Sequence, residues 1–313
     1  MQPVTKTVFI DHRSNSPYFN LALEEYLLHE LEENVVLLYT NSNAVVIGKH
    51  QNAFDECNLQ YCLPNNIAVA RRLSGGGTVF HGEGNLNFCF IQNGSHTDKL
   101  IDFKRHLEPI NLFLHSLGVP SEYSGRNDLL VHSRKVSGNA EHVYSKRKRV
   151  IHHGTLLYNA NLTALKAAIE PKANVTFSSH AVKSVRSKVA NITDFLDSEL
   201  SYNEFEQKLH DFLIGYFNAD VRSLLPNEIE HVERLVSEKF STWDWNFGYS
   251  PGFEASLDVG QETKLMVAVR KGHITKANIL NNGKGSDLPE LVNQPYTVKT
   301  LNQTGITDFS KFF

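Results

Sequence analysis

Apolar positions along the first hundred residues repeat in two rhythms. Leu21, Ala22, Tyr26, Leu27 and Leu31 recur at helical spacing. Ser16-Pro17 ahead of them is a capping hydroxyl followed by a proline at the first helical position, so a helix is predicted to about Glu33. The rhythm then shortens. Val35 to Tyr39 and Ala44 to Ile47 are compact β-rich runs joined by the Asn41-Ser42-Asn43 turn, and Ile67 to Ala70 and Phe88 to Ile91 are two more. Helical spacing returns over Phe103 to Leu117, with Pro109 expected to start, kink or divide that helix.

Further along, Leu129 to Val131 reads as a strand and Arg134 to Ala140 as a polar loop leading into Glu141 to Tyr144. Val150 to Tyr158 is the returning strand, with the basic run Lys146 to Arg149 as a solvated hairpin turn before it. Ser184-Val185-Arg186-Ser187 falls in another polar loop. Amphipathic helices are expected near Tyr202 to Tyr216 and Glu228 to Lys239. Thr242 to Gly248 holds both tryptophans and reads as an aromatic plug at a domain boundary. Beyond it, strands at Leu265 to Val269 and His273 to Ile279 and a helix around Leu288 to Val292 form a satellite domain. Helices and strands interleave throughout, so the fold class is α/β.

Composition narrows the possibilities. With 31 basic and 34 acidic residues the 313-residue chain carries a formal charge of −3, so no global basic field points to nucleic acid or anionic membrane. No apolar run approaches the ~20 residues that span a bilayer. Met1 to Thr7 lacks the apolar core of a signal peptide, and Cys57, Cys62 and Cys89 form no Cys-x-x-Cys pair. A cytoplasmic location is expected, with monomer as the default state.

The candidate chemistry centres on Arg71 to Asn87, where Gly75-Gly76-Gly77 separates two strand-like runs. A bare glycine run can be a flexible turn. Two arginines before it, His81 and two asparagines after it favour an anion site, because glycines let backbone amides approach a ligand and arginine offers forked donors. Lys135 and Arg186 add charge, and Ser74, Asn85, Asn127, Ser137, Asn139 and Thr155 add hydrogen-bonding groups. There is no Gly-x-Ser-x-Gly elbow, and no cysteine in a polar glycine-bearing loop beside a histidine. His152-His153 would face opposite sides of a strand, and no further His or Cys follows at metal-ligand spacing, which argues against a structural zinc site there. The residues suit a nucleotide-type site that manages phosphate charge and positions reactants.

Several ordered motifs carry a resemblance. They are Asn20-Leu21-Ala22-Leu23-Glu24-Glu25, Val46 to Asn52, Arg71 to Asn87, Ser124 to Asp128, Lys135 to Ala140, His152 to Leu157, Ser184 to Val189 and Trp243 to Gly248. In these the chain resembles the lipoate-protein ligases, within the wider biotin/lipoate ligase group, over nearly its whole length. The resemblance implies a mixed-sheet catalytic domain over residues 1–247 and a small α/β accessory domain over 248–313. It implies an ATP-dependent, AMP-forming ligase that converts lipoate to lipoyl-AMP with Mg2+. Transfer then follows to a lysine of an acceptor lipoyl domain, on a 2-oxoacid dehydrogenase E2 subunit or the glycine cleavage H protein, and octanoate is a possible alternative acid.

By position, Lys135 is the expected catalytic residue, bridging the lipoate carboxylate and the α-phosphate. Arg72, Gly77, Thr78, Val79, Phe80, Asn127 and Asp128 are expected at ATP, the last two also as candidates for magnesium. Arg71, Ser74, Gly75, Gly76, His81, Gly138 and His153 are expected at lipoate. His152 and His153 either orient the site or pack a strand. Family members often carry Asp after the motif histidine; here Gly82 and then Glu83 follow, which either displaces the acidic group or marks a differently built loop. The alternatives are a lipoyltransferase that uses only preformed lipoyl-AMP, and a non-catalytic protein that binds lipoyl domains or, through Lys146 to Arg149, RNA.

Overall fold

The computed structural model describes residues 6–94, 99–170 and 174–313. Most of the N-terminal stretch read for a leader therefore lies outside the described residues. The main sheet has eight strands, in the order Asp220–Ser223, Thr7–Asp11, Asn34–Tyr39, Asn85–Asn93, Arg149–Leu157, Arg134–Tyr144, Asp128–Val131 and Glu122–Tyr123. Thr7–Asp11 runs parallel to both of its neighbours and the remaining pairs are antiparallel, so the sheet is mixed, as expected.

A second, three-stranded sheet orders Ala68–Arg71, Ala44–Ile47 and Val79–His81. Helix Pro17–Glu30 lies between the two sheets: Leu21, Leu23 and Leu27 share one core with Val35 and Leu37 of the first and with Val46 and Ala70 of the second. Ser16 caps it through the Phe19 amide, as the sequence predicts. Burial on several sides explains why its polar Asn20, Glu24 and Glu25 are buried too.

The basic turn is only partly solvated. Arg149 begins the strand Arg149–Leu157, is 1% exposed, and its Nη1 donates to the carbonyls of Leu27 (3.1 Å) and Leu28 (3.2 Å) at the end of helix Pro17–Glu30. It satisfies carbonyls that the helix end leaves open and sits at the negative end of the helix dipole.

Arg134 to Ala140 is not a loop. It forms the first part of strand Arg134–Tyr144, where Ser137 and Asn139 are buried and bonded to each other (3.1 Å). Polar residues in a strand read as a loop only when their partners are out of sight. Helix Phe103–Ser116 runs through Pro109 without a break. The expected helix near Glu228 is Pro226–Leu235 and passes into a wider turn, Val236–Phe240.

The satellite unit is a five-stranded antiparallel sheet in the order Val175–Ser179, Phe253–Gly260, Thr263–Arg270, His273–Asn281 and Lys284–Asp287. Its outer strand Val175–Ser179 comes from the middle of the chain, well before the aromatic boundary. Phe253, Leu265, Phe309 and Phe313 share a core with Ile47, Phe54 and Phe80 of the larger unit. No helix among the described residues is long and apolar enough to cross a membrane.

Candidate active site

The site begins with how the chain holds Gly75–Gly77. Arg72 is 5% exposed and its Nη2 donates to the carbonyls of Gly75 and Gly77, both at 2.7 Å, while its Nη1 donates to Val46 O at 3.1 Å. The guanidinium thus fixes the glycine loop over the end of strand Ala44–Ile47. Gly76 sits at φ +88°, a left-handed backbone that side chains rarely adopt. Burial lowers Arg72 to about 10, against the raising influence of the Glu24 carboxylate, so it stays charged at neutral pH.

Behind the loop runs a buried polar chain with a determined direction. Arg72 Nε donates to Ser74 Oγ (3.0 Å), and Ser74 Oγ lies 2.6 Å from His153 Nε2. His153 Nδ1 lies 2.7 Å from Glu24 Oε2, and Tyr39 OH donates to Glu24 Oε1 (2.9 Å). Arginine can only donate, so the Ser74 hydroxyl is free to donate to His153 Nε2, and Nδ1–H then donates to the carboxylate. Burial, reinforced by Glu24, raises Tyr39 well above its ordinary value and keeps it a donor.

His81 lines the cleft with the opposite polarity. Asn20 Nδ2 donates to Asn41 Oδ1 (2.7 Å), which turns the Asn41 amide so that its Nδ2 donates to His81 Nδ1 (2.8 Å). The ring proton is therefore on Nε2, which is buried and has no partner among the described residues. Burial above all, then the charge of Arg72, pushes His81 down to about 3. It offers a neutral N–H to whatever occupies the cleft.

The charged side is built on strands Asp128–Val131 and Arg134–Tyr144. Lys135 Nζ pairs with Asp128 Oδ1 at 2.9 Å. The lysine lies across Gly138, where an added Cβ would stand 2.7 Å from its Cε and Nζ. Asn127 and Asn139 exchange side-chain-to-backbone bonds of 2.7 and 3.0 Å that lock the neighbouring turn. A strap over residues 182–190 crosses this side. Lys135 N donates to Lys188 O (2.8 Å) and Ala190 N donates to Lys135 O (3.0 Å). At its other end Ser184 Oγ accepts from Thr78 N (2.8 Å) and from Gln51 Nε2 (3.0 Å) and donates to Glu56 Oε2. The strap directly follows Val175–Ser179 and so continues from the satellite sheet into the cleft.

The cleft encloses about 960 Å3 with its open mouth included. Leu21, Tyr39, Val46, Val79 and Ala140 give it apolar wall; Arg126, Asp128 and Lys135 give it charge. Of the expected site residues, Arg72, Gly76, Gly77, Thr78, Val79, His81, Asn127, Asp128, Lys135, Gly138 and His153 line it.

Four do not line it. Arg71 is fully buried and faces away: its Nη1 donates to Gln51 O (2.7 Å) and its Nη2 to Asn246 O (2.8 Å) and Ser250 Oγ (3.0 Å). Ser74 sits behind the wall in the polar chain, and Phe80 points into the shared core. Gly75 also lies outside the lining. Glu83 is exposed and a Cβ at residue 82 would meet Asn43 Oδ1 at 2.5 Å, so neither position puts a carboxylate into the cleft lining. Glu24 is the residue that sequence reasoning left without a role, although it stands in the Asn20–Glu25 motif. Cys57, Cys62 and Cys89 are all buried.

Residues 16–214 match the lipoyl protein ligase A/B catalytic domain. A lipoate-protein ligase of Bacillus subtilis is 38% identical over 91% of this chain and 88% of its own length, and one from Staphylococcus aureus is 36% identical over 88% and 85%. The P. falciparum protein LipL1, solved in complex with lipoate, shares the fold at a TM-score of 0.65 and 21% identity over 95% of this chain and 93% of its own. The chain belongs to the lipoate-protein ligase family, with a catalytic domain of the lipoyl protein ligase A/B type.

Proposed function

We propose that this chain is an ATP-dependent lipoate-protein ligase that activates lipoate as lipoyl-AMP and transfers the lipoyl group to a lysine of an acceptor lipoyl domain. The supporting observation is the position of Lys135, a cation laid over Gly138 in a cleft that has apolar wall on one hand and Asp128 on the other. The apolar wall suits the lipoate tail, each methylene of which gains about 0.8 kcal/mol on burial. Octanoate fits the same wall. Arg72 and the glycine loop suit the nucleotide phosphates.

In the first half-reaction a lipoate carboxylate oxygen attacks the α-phosphorus of ATP, the bond to the bridging oxygen breaks, and pyrophosphate leaves. The Lys135 ammonium would stabilise negative charge on the α-phosphoryl oxygens and hold the carboxylate in line, the preorganised electrostatic contribution that dominates such steps. In the second, the neutral amine of the acceptor lysine attacks the acyl carbon. The carbon–oxygen bond to AMP breaks, and the amine proton passes to solvent. No enzyme nucleophile is required, because AMP is already a good leaving group. The structure supports that economy: the cysteines are buried, and the Ser74 hydroxyl is engaged between Arg72 and His153.

Asp128 is the one carboxylate among the described lining residues, and an oxygen donor beside the phosphate-binding side suits Mg2+. The ion would supply charge neutralisation for the phosphates.

A coupled assay for pyrophosphate tests the reading. Release from ATP that requires lipoate, with or without an acceptor domain, is expected. It should persist when the three cysteines are replaced by alanine. Pyrophosphate release that stays at background with both substrates present would remove the ligase assignment.

A further inference from the structure

Directly behind the cleft, on the opposite face of the main sheet, three ligand-type side chains meet in a place that the lipoate chemistry does not use. His106 comes from helix Phe103–Ser116, Glu141 from strand Arg134–Tyr144 and His152 from strand Arg149–Leu157. His106 Nδ1 lies 2.7 Å and His152 Nδ1 2.9 Å from the same oxygen, Glu141 Oε1. The three side chains are 3%, 1% and 0% exposed. Donor atoms of all three lie within 4.8 Å of one another.

Hydrogen bonding alone leaves this cluster incomplete. Glu141 Oε2 is buried and has no partner among the described residues, and neither has His152 Nε2. A bare buried acceptor costs about 1–3 kcal/mol. Aromatic rings pack the His152 side of the cluster: Phe88 and Phe90 stack on its ring with centroids 5.8 and 6.3 Å away, and Phe103 meets it edge-on at 5.9 Å. Two imidazoles and a carboxylate are the donor set that zinc-class ions take, with a fourth position left for water.

We propose that His106, Glu141 and His152 bind one divalent transition-metal ion of the zinc class, at a structural site separate from the nucleotide. The two imidazole Nδ1 atoms and the Glu141 carboxylate are the ligands, and the ion engages the unpartnered Oε2. Ligands at zinc distances stand about 3.3 Å apart in a tetrahedron, so the two imidazole-to-carboxylate separations of 2.7 and 2.9 Å need to widen by about half an ångström, and the three donor atoms already lie within 4.8 Å of one another. Each histidine releases its Nδ1 proton to solvent on binding. The ion ties the helix to the two strands whose other face carries Ala140 and His153, so it supports the cleft from behind. The motif His152-His153 concealed the site, because its partners stand 11 and 46 residues away and only the sheet register, which pairs His152 with Glu141, brings one of them alongside.

The test uses untagged full-length protein, stripped of metal and titrated with zinc against a chromophoric chelator, and with cobalt(II) followed by visible absorption. One equivalent of zinc per chain, intense tetrahedral cobalt bands and a raised melting temperature are expected, all unaffected by ATP. His106→Gln and Glu141→Gln should each weaken zinc binding at least about 100-fold, beyond the 10–100-fold seen for groups that only orient a ligand. Circular dichroism checks that the variants fold. Wild-type protein that takes up no stoichiometric zinc, or uptake that both substitutions leave unchanged, overturns the proposal; the wild-type titration decides even if a variant fails to fold.

Discussion

Lys135 Nζ stands 2.9 Å from Asp128 Oδ1, with both side chains about four-fifths buried. The aspartate holds the ammonium in the cleft when no phosphate is there to do so, and the bare face of Gly138 gives it a track to lie along. Lys135→Ala should lower lipoate-dependent pyrophosphate release at least ~100-fold with the fold intact, the scale of losing one charge-stabilising group. Gly138→Ala should displace the same ammonium without removing it and give a smaller loss. Near-normal rates in both variants would separate Lys135 from the chemistry.

Ser74→Ala leaves Arg72 Nε and His153 Nε2 without their shared hydroxyl. Two buried polar groups then lose a partner, at about 1–3 kcal/mol each. Denaturant unfolding should show a combined loss of about 2–6 kcal/mol. Turnover should survive in part, since the hydroxyl is behind the wall and does not touch substrate. Complete loss of turnover in a folded variant would give Ser74 a direct role instead.

His81 sets a pH limit on stability. Its folded value of about 3 lies below the 6.5 of an unfolded histidine, so below pH 6.5 the unfolded chain takes up a proton that the fold refuses. Stability is therefore undiminished above pH 6.5 and is lost as pH falls towards 3, at up to about 1.4 kcal/mol per pH unit. His81→Gln should lose stability less steeply between pH 6.5 and 5, by about 2 kcal/mol in total. Parallel stability curves for the two proteins would show that His81 titrates normally.

Much of the frame was legible because it rests on local pattern. Helix Pro17–Glu30, the strands around Gly75–Gly77 and the returning strand Arg149–Leu157 all follow from spacing, capping and β-rich runs. What escaped depends on partners far away in sequence. Arg134 to Ala140 looks like a loop until Asn127 and Gly154 are beside it. Val175–Ser179 belongs to a sheet whose next strand is Phe253–Gly260, so no local rule could assign it. The site shows the same division. Lys135 and Arg72 were readable from motif, whereas Arg71, equally charged and adjacent, was not: strand alternation turns it to the other side, where a carbonyl cage receives it.

That cage joins the two units. Arg71 donates from Nη1 to Gly48 O, Lys49 O and Gln51 O on one side, and from Nε and Nη2 to Trp245 O, Asn246 O and Ser250 Oγ on the other; Trp245 Nε1 returns a bond to Arg71 O at 2.8 Å. Arg71→Met should loosen the boundary segment from the glycine loop. A lower melting temperature and a broadened or split transition in calorimetry are expected. An unchanged single transition would mean that the shared core around Phe54 holds the units together without the arginine.

The central claim is that one chain both activates and transfers. Intact-mass spectrometry of an unmodified lipoyl domain tests it most directly, with this protein plus ATP, Mg2+ and lipoate in one tube and synthetic lipoyl-AMP replacing them in another. The predicted result is a lipoyl mass gain in both tubes. A gain with lipoyl-AMP alone would contradict the account and leave a transferase that depends on another protein for activation.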